Sequence, residues 1–144
     1  MDEKAIQDFS DSLGQLILLW QRIRRDILMT ENVTPADKRI LYGLYRGGEM
    51  TKSELAKAIV LEHSSLTRSV IRLEKNGLLS RITSESDHRY VQLSLTEKGV
   101  SKTLSLRKQF LEKIKPTFPE IPQKKLEEIT GFLKQINKKT GETL

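Results

Sequence analysis

The sequence predicts a mainly α (α+β) fold: a winged helix-turn-helix flanked by long N- and C-terminal helices. An apolar stripe of helical period runs from Ile6 to Ile27, the mark of a long amphipathic helix. Two short helical patterns meet at a turn between Ile59 and Ser64. After Gly77 the period falls from helical to alternating, as where a helix gives way to a hairpin.

The first helix places Ile6, Phe9, Leu13, Leu16, Ile17, Trp20, Ile23 and Ile27 on one face, with Arg22, Arg24, Arg25 and Asp26 mostly between them. The stripe lasts about six turns. One layer of a small domain rarely needs so much, so part of it is expected to meet a second chain. Thr34-Pro35-Ala36-Asp37 starts the next helix, with Thr as N-cap, Pro at the first helical position and an acid in the first turn. Ile40, Leu41 and Leu44 are its apolar face, and Gly47-Gly48 ends it. Thr51-Lys52-Ser53-Glu54 is a capping box, opening a short helix to about Ile59 with Leu55, Ala56 and Ile59 inward. After a turn over Val60–His63, a helix from Ser64 or Ser65 runs to Asn76. Leu66, Val70 and Leu73 point in; Ser65, Arg68, Ser69, Arg72 and Lys75 point out.

Leu78, Leu79 and Ile82 then lead to the polar turn Ser84-Glu85-Ser86-Asp87-His88-Arg89, and Val91, Leu93 and Leu95 alternate with Gln92 and Ser94 as a returning strand. Thr96 caps a further helix carrying Val100, Leu104, Leu111 and Ile114. Pro116 to Pro122 interrupt it, and Leu126, Ile129, Phe132, Leu133 and Ile136 define a last amphipathic helix. With 144 residues, the chain reads as a single domain, 1–144. Residues 34–99 are the winged helix-turn-helix, and 1–30 and 100–144 are dimerisation helices.

Composition narrows the function. With no cysteine, disulfides, thiolate metal sites and thiol chemistry are excluded. Residues 96–144 carry 11 basic and 6 acidic side chains, most of the formal net charge of +6. That excess suits an acidic partner, but a basic helix is more often a solvated face. There is no glycine-rich phosphate loop, no Ser/His/Asp spacing and no metal-ligand cluster, so the expectation is no enzyme, no cofactor, no metal and no catalytic residue. No apolar run reaches bilayer length and the N-terminus lacks a signal-peptide pattern, so the expected location is cytoplasmic, away from membranes.

The remaining constellation is one of surface recognition. A helix fits the major groove of double-stranded DNA, and serine, threonine and arginine on its outer face reach base edges there. Ser64, Ser65, Thr67, Arg68 and Arg72 supply those groups. Arg89 lies at the wing tip with Asp87 two residues before it, where a carboxylate can hold the guanidinium in place and lower its ordering cost. The alternative is a winged-helix module binding protein or RNA without operator specificity. The outer face of 64–72 argues against it, lacking large apolar anchors for a protein and rings for single-stranded RNA. His63 reads as a helix-start residue and His88 as part of a solvated turn.

At this point the chain resembles the MarR-type winged helix-turn-helix transcriptional regulators. Leu73-Glu74-Lys75-Asn76-Gly77-Leu78-Leu79-Ser80-Arg81 looks like the family's passage from recognition helix to wing. Asp87-His88-Arg89 matches its wing motif, and Leu93-Ser94-Leu95-Thr96-Glu97-Lys98-Gly99 the close of the wing. The resemblance implies a homodimer, joined through the terminal helices, that binds a roughly palindromic operator as a repressor and is released by a small molecule. It places Ser64, Ser65, Thr67 and Arg68 against DNA, with Arg89 and its partner Asp87 on the wing. Departures are Ser64, where the family often has proline, and a wing with few basic residues beyond Arg81 and Arg89. Phe9, Leu13, Trp20 and Tyr42 are the candidate lining of an effector cavity, and serve equally well as a filled core. The basic excess favours a small aromatic anion there.

Overall fold

The computed structural model describes residues 2–83, 85–87 and 90–140, without the side chains of Lys139 and Thr140. Each helix begins where its cap lies. Helix α1 (Glu3–Thr30) starts on Asp2, whose carboxylate accepts the Lys4 N–H. Helix α2 (Pro35–Gly47) and α3 (Lys52–Ile59) both open with complete capping boxes, Thr34 with Asp37 and Thr51 with Glu54, each satisfying two backbone donors. Helix α4 (His63–Lys75) begins one residue before the serines, with Glu62 in the N-cap position.

The wing is a three-stranded antiparallel sheet in the order β1-β3-β2, formed by β1 (Met50–Thr51), β2 (Leu79–Thr83) and β3 (Val91–Leu95). Register runs from Leu79↔Leu95 to Thr83↔Val91, with Met50↔Leu93 on the other side. The short β1 is an addition to the predicted two-stranded hairpin, since two residues are too few to show an alternating period.

Two compact units follow from the chain, Met1–Lys113 and Ile114–Leu144. In the first, Ile40, Leu41, Leu55, Leu66, Val70 and Leu73 form a sealed core, joined by Ile27, Leu28 and Val33 from the end of α1 and by Leu78, Leu79 and Leu93 from the wing. Each such aliphatic side chain contributes about 1.5–3 kcal/mol on burial. Helix α5 (Glu97–Ile114) turns Thr103 and Leu106 inward. The predicted Leu104 and Leu111 positions lie exposed on another face. On the N-terminal part of α1, Ile6, Phe9 and Ile17 are exposed. The second unit holds a short 3-10 turn (Lys115–Thr117) and α6 (Gln123–Thr140), which exposes Leu126, Ile129, Phe132 and Ile136. No helix among the described residues is long and apolar enough to cross a membrane.

Candidate nucleic-acid interface

Helices α3 and α4 make the helix-turn-helix. Val60 turns the chain with φ 48° and ψ 62°, a left-handed conformation unusual for a β-branched residue. Two contacts hold the turn: the Val60 N–H donates to the Ala56 carbonyl, and Arg39 Nη1 donates to the Val60 carbonyl at 3.3 Å.

Leu66, Val70 and Leu73 anchor the inner face of α4. The outward face differs from the expectation in part. Ser69 does not point out; it is 2% exposed. Arg72 is committed elsewhere. Its Nε and Nη2 meet the two oxygens of Asp37 at 3.1 and 2.5 Å, and Nη2 also donates to Thr34 Oγ1 at 2.9 Å and Ser69 Oγ at 3.2 Å. Asp37 is 2% exposed and also accepts the Thr34 N–H at 2.9 Å. Burial pushes its carboxyl pKa up, but bonds from Arg72 and Thr34 outweigh this and hold it below the usual range. One carboxylate thus caps α2 and pins α4 to it, a two-pronged arginine pair of the stronger kind. Thr34 and Asp37 announce themselves as a cap; nothing near them in the chain announces Arg72.

What remains outward is a stripe at steps of four and three: Ser64, Arg68, Ile71 and Lys75, all exposed, with Thr67 beside them. Arg68 makes no ion pair among the described residues. Thr67 Oγ1 donates to the His63 carbonyl at 2.8 Å, leaving its oxygen free to accept. Ser65 is only half-exposed. Ile71, which the sequence reading placed on neither face, is 56% exposed. It corrects the view that this face carries no large apolar group.

The wing abuts the end of α4. Arg81 grips Glu74 with two bonds, 2.6 and 3.0 Å. This first wing arginine therefore ties strand to helix. Asp87 is exposed, and its carbonyl accepts the Tyr90 N–H at 2.9 Å. Arg89 and His88 lie outside the described residues. At the base of the wing, Thr96 Oγ1 donates to the Gly77 carbonyl at 2.6 Å and accepts the Gly99 N–H at 3.0 Å.

A second cluster lies where α1, α2 and α5 supply neighbouring side chains. Trp20 meets Phe110 edge-on with ring centres 6.2 Å apart, and Arg24 stacks over Phe110 at 4.7 Å. Lys38 sits 5.1 Å above the Tyr42 ring. Burial, then the charges of Arg24, Arg39 and Arg46, bring the Lys38 amine down to about 8. Burial raises the Tyr42 phenol against the opposing pull of Arg107, Arg24 and Arg46. Of the four residues expected to line an effector cavity, Trp20 and Tyr42 belong to this neighbourhood. Leu13 is half-buried. Phe9 lies about 16 Å from Trp20 along α1 at the helical rise. Phe110 and Lys38 were not foreseen, because three separated segments assemble the cluster. No group of three or more potential metal ligands occurs among the described residues.

Residues 33–91 match the sequence model described as the MarR family. The chain is 33% identical over 100 residues to the HTH-type transcriptional repressor MdtR of Bacillus subtilis (strain 168). That match covers 67% of this chain and 64%, a little under two thirds, of that protein. A MarR family protein from Bacillus stearothermophilus superposes with a TM-score of 0.85 at 22% identity, covering 98% of this chain and 99% of that one. A crystal structure of NadR in complex with 4-hydroxyphenylacetate gives a TM-score of 0.68 at 26% identity, covering 89% and 91%.

Proposed function

The chain belongs to the MarR family through residues 33–91, and from that premise we propose that it is a sequence-specific, double-stranded DNA-binding transcriptional repressor. The observation that carries this reading is the outward stripe of α4, where Ser64, Arg68 and Lys75 stand exposed beside the wing, with Thr67 half-exposed next to them. Ser64, Ser65, Thr67 and Arg68 reach base edges from the helix. Arg89, two residues after Asp87 in the sequence, is assigned to the minor groove or phosphates. Arg72 acts one step back, by holding α4 on α2.

The repressor acts as a homodimer on a roughly palindromic operator. The large apolar residues that α1 exposes, and separately those that α6 exposes, support self-association, since monomers rarely present such stripes to solvent. A two-fold axis sets the recognition helices about 34–36 Å apart, one turn of DNA. Gel shifts with DNA upstream of the protein's own gene test the reading. Retention against excess nonspecific duplex is expected, and equal competition by random DNA overturns it.

A small aromatic anion releases the repressor. Arg24 lies over the Phe110 ring that Trp20 meets edge-on, Lys38 lies over the Tyr42 ring, and the charges of Arg24, Arg46 and Arg107 act on Tyr42, a setting suited to a carboxylate on a ring. The aromatic acid bound by NadR supports the same chemistry. 4-Hydroxyphenylacetate at millimolar concentration should raise the melting temperature of the wild type and not of Lys38→Met. Its affinity should fall as pH rises through about 8, where Lys38 loses its proton. Absence of any shift with this acid or benzoate removes the effector from the reading.

A further inference from the structure

We infer that Ile71 is a specificity residue of the recognition helix, reading the C5-methyl group of a thymine in each half-site. The inference rests on the proposal that α4 enters the major groove. Ile71 follows Arg68 by three residues and Thr67 by four, on the exposed stripe that runs from Ser64 to Lys75. It is the one large apolar side chain of that stripe, and 56% of it is open to solvent. The core positions of α4, Leu66, Val70 and Leu73, lie on the opposite face, so packing within the chain does not explain an isoleucine here. Nor does helix propensity, which ranks isoleucine below leucine, lysine or glutamate.

In the major groove the thymine methyl is the only apolar feature that a base pair presents, and an aliphatic side chain covers it well. Ile71 lies about 4.5 Å farther along the helix axis than Arg68, at about 1.5 Å per residue. Successive bases of a strand are about 3.4 Å apart. The thymine is therefore one or two base pairs from the base that Arg68 reads. Lys75, a turn farther on, carries its charge toward the backbone at the groove edge.

The test uses the full-length protein and duplexes recovered by it from a random-sequence library. Each thymine of the recovered consensus is replaced in turn, in both half-sites, by deoxyuridine, which removes only the methyl group. For the wild type, one position near a consensus guanine, the base that an arginine such as Arg68 holds with two bonds, should weaken binding about fourfold per half-site, roughly 15-fold for both, the worth of one buried methyl-sized group. In Ile71→Ala, binding to the thymine duplex should weaken by a similar factor, and the same deoxyuridine should then have no further effect. Ile71→Val should keep the sensitivity, and provides the readout if the alanine variant fails to fold. Undiminished deoxyuridine sensitivity in the folded Ile71→Ala protein overturns the inference, as does a wild type indifferent to every thymine methyl. If the library yields no consensus at all, the operator reading itself fails, an outcome distinct from either.

Discussion

Arg68 and Arg72 are one helical turn apart on α4, yet their surroundings assign them different work. Arg68 is exposed and without an ion pair among the described residues. Arg68→Ala should cost roughly 1–3 kcal/mol per half-site and weaken operator binding more than random binding, as measured by titration against both duplexes. Arg89→Ala, on the wing, should weaken both more evenly and flatten the salt dependence. Arg72 instead satisfies a carboxylate that is 2% exposed. Because Arg72 is itself partly open to solvent, Arg72→Ala should destabilise the protein by about 1.5–3 kcal/mol, the range for a lost hydrogen bond to a charged group. The folded pKa of Asp37 is depressed, so its stabilising effect is present above its unfolded value and lost as pH falls through the folded one. The difference between wild type and Arg72→Ala in urea unfolding should therefore shrink from pH 7 toward pH 3. An unchanged difference would mean that Asp37 is not the partner that matters.

At the scale of elements, α4, the wing and α5 are locked at one corner. Thr96 bridges the Gly77 carbonyl and the Gly99 N–H, while Lys98 Nζ donates to the Asn76 carbonyl at 2.9 Å. Gly77 adopts φ 71°, which lets the chain leave α4 and enter β2 without a side-chain clash. At Gly99 the constraint is space: an added Cβ would lie 2.1 Å from the Leu78 carbonyl oxygen and 3.2 Å from Leu95 Cδ2. Gly99→Ala gains helix propensity but forces α5 off the strand, and should lower stability by about 2–3 kcal/mol, the upper range for overpacking. Thermal melting of this variant at or above the wild-type temperature would show that the corner yields. The turn between α3 and α4 carries a different kind of strain. Val60 is 81% exposed in its left-handed conformation, so Val60→Gly loses little packing and should stabilise by about 1 kcal/mol, read as a higher denaturation midpoint.

For the whole molecule, the question is what covers the apolar faces. The upper part of α1 exposes Ile6, Phe9 and Ile17, and α5 exposes Leu104 and Leu111. Within its own unit, α6 exposes four more large apolar residues on one side. The proposed homodimer would cover the faces of each unit by two-fold, self-complementary contacts. Sedimentation at micromolar concentration should report a particle of two 16.6 kDa chains, and a monomer there would remove the dimeric operator model. Deleting residues 1–30 removes Ile27 and Leu28 from the core as well as the stripe, so the product should aggregate.

The sequence by itself determined the helices, the starts of those that carry a threonine cap and the hairpin, because caps, glycines and hydrophobic period act over three or four residues. Thr34, Thr51 and Thr96 each cap the helix they precede, as their spacing to Asp37, Glu54 and Gly99 requires. It also marked Arg68 and Lys75 as outward, since the opposing Leu66, Val70 and Leu73 left them no other face. Tertiary structure decided the rest. A period of 3.6 assigns a residue to a face only within a wide arc. Whether Ser69, Ile71 and Arg72 at its margins meet solvent depended on where α2 packs. Asp37 and Arg72 are 35 residues apart, and the gathering of Trp20, Arg24, Lys38, Tyr42 and Phe110 draws on three helices. Such partners carry no local signature, because burial and charge bring them together only after the chain has folded.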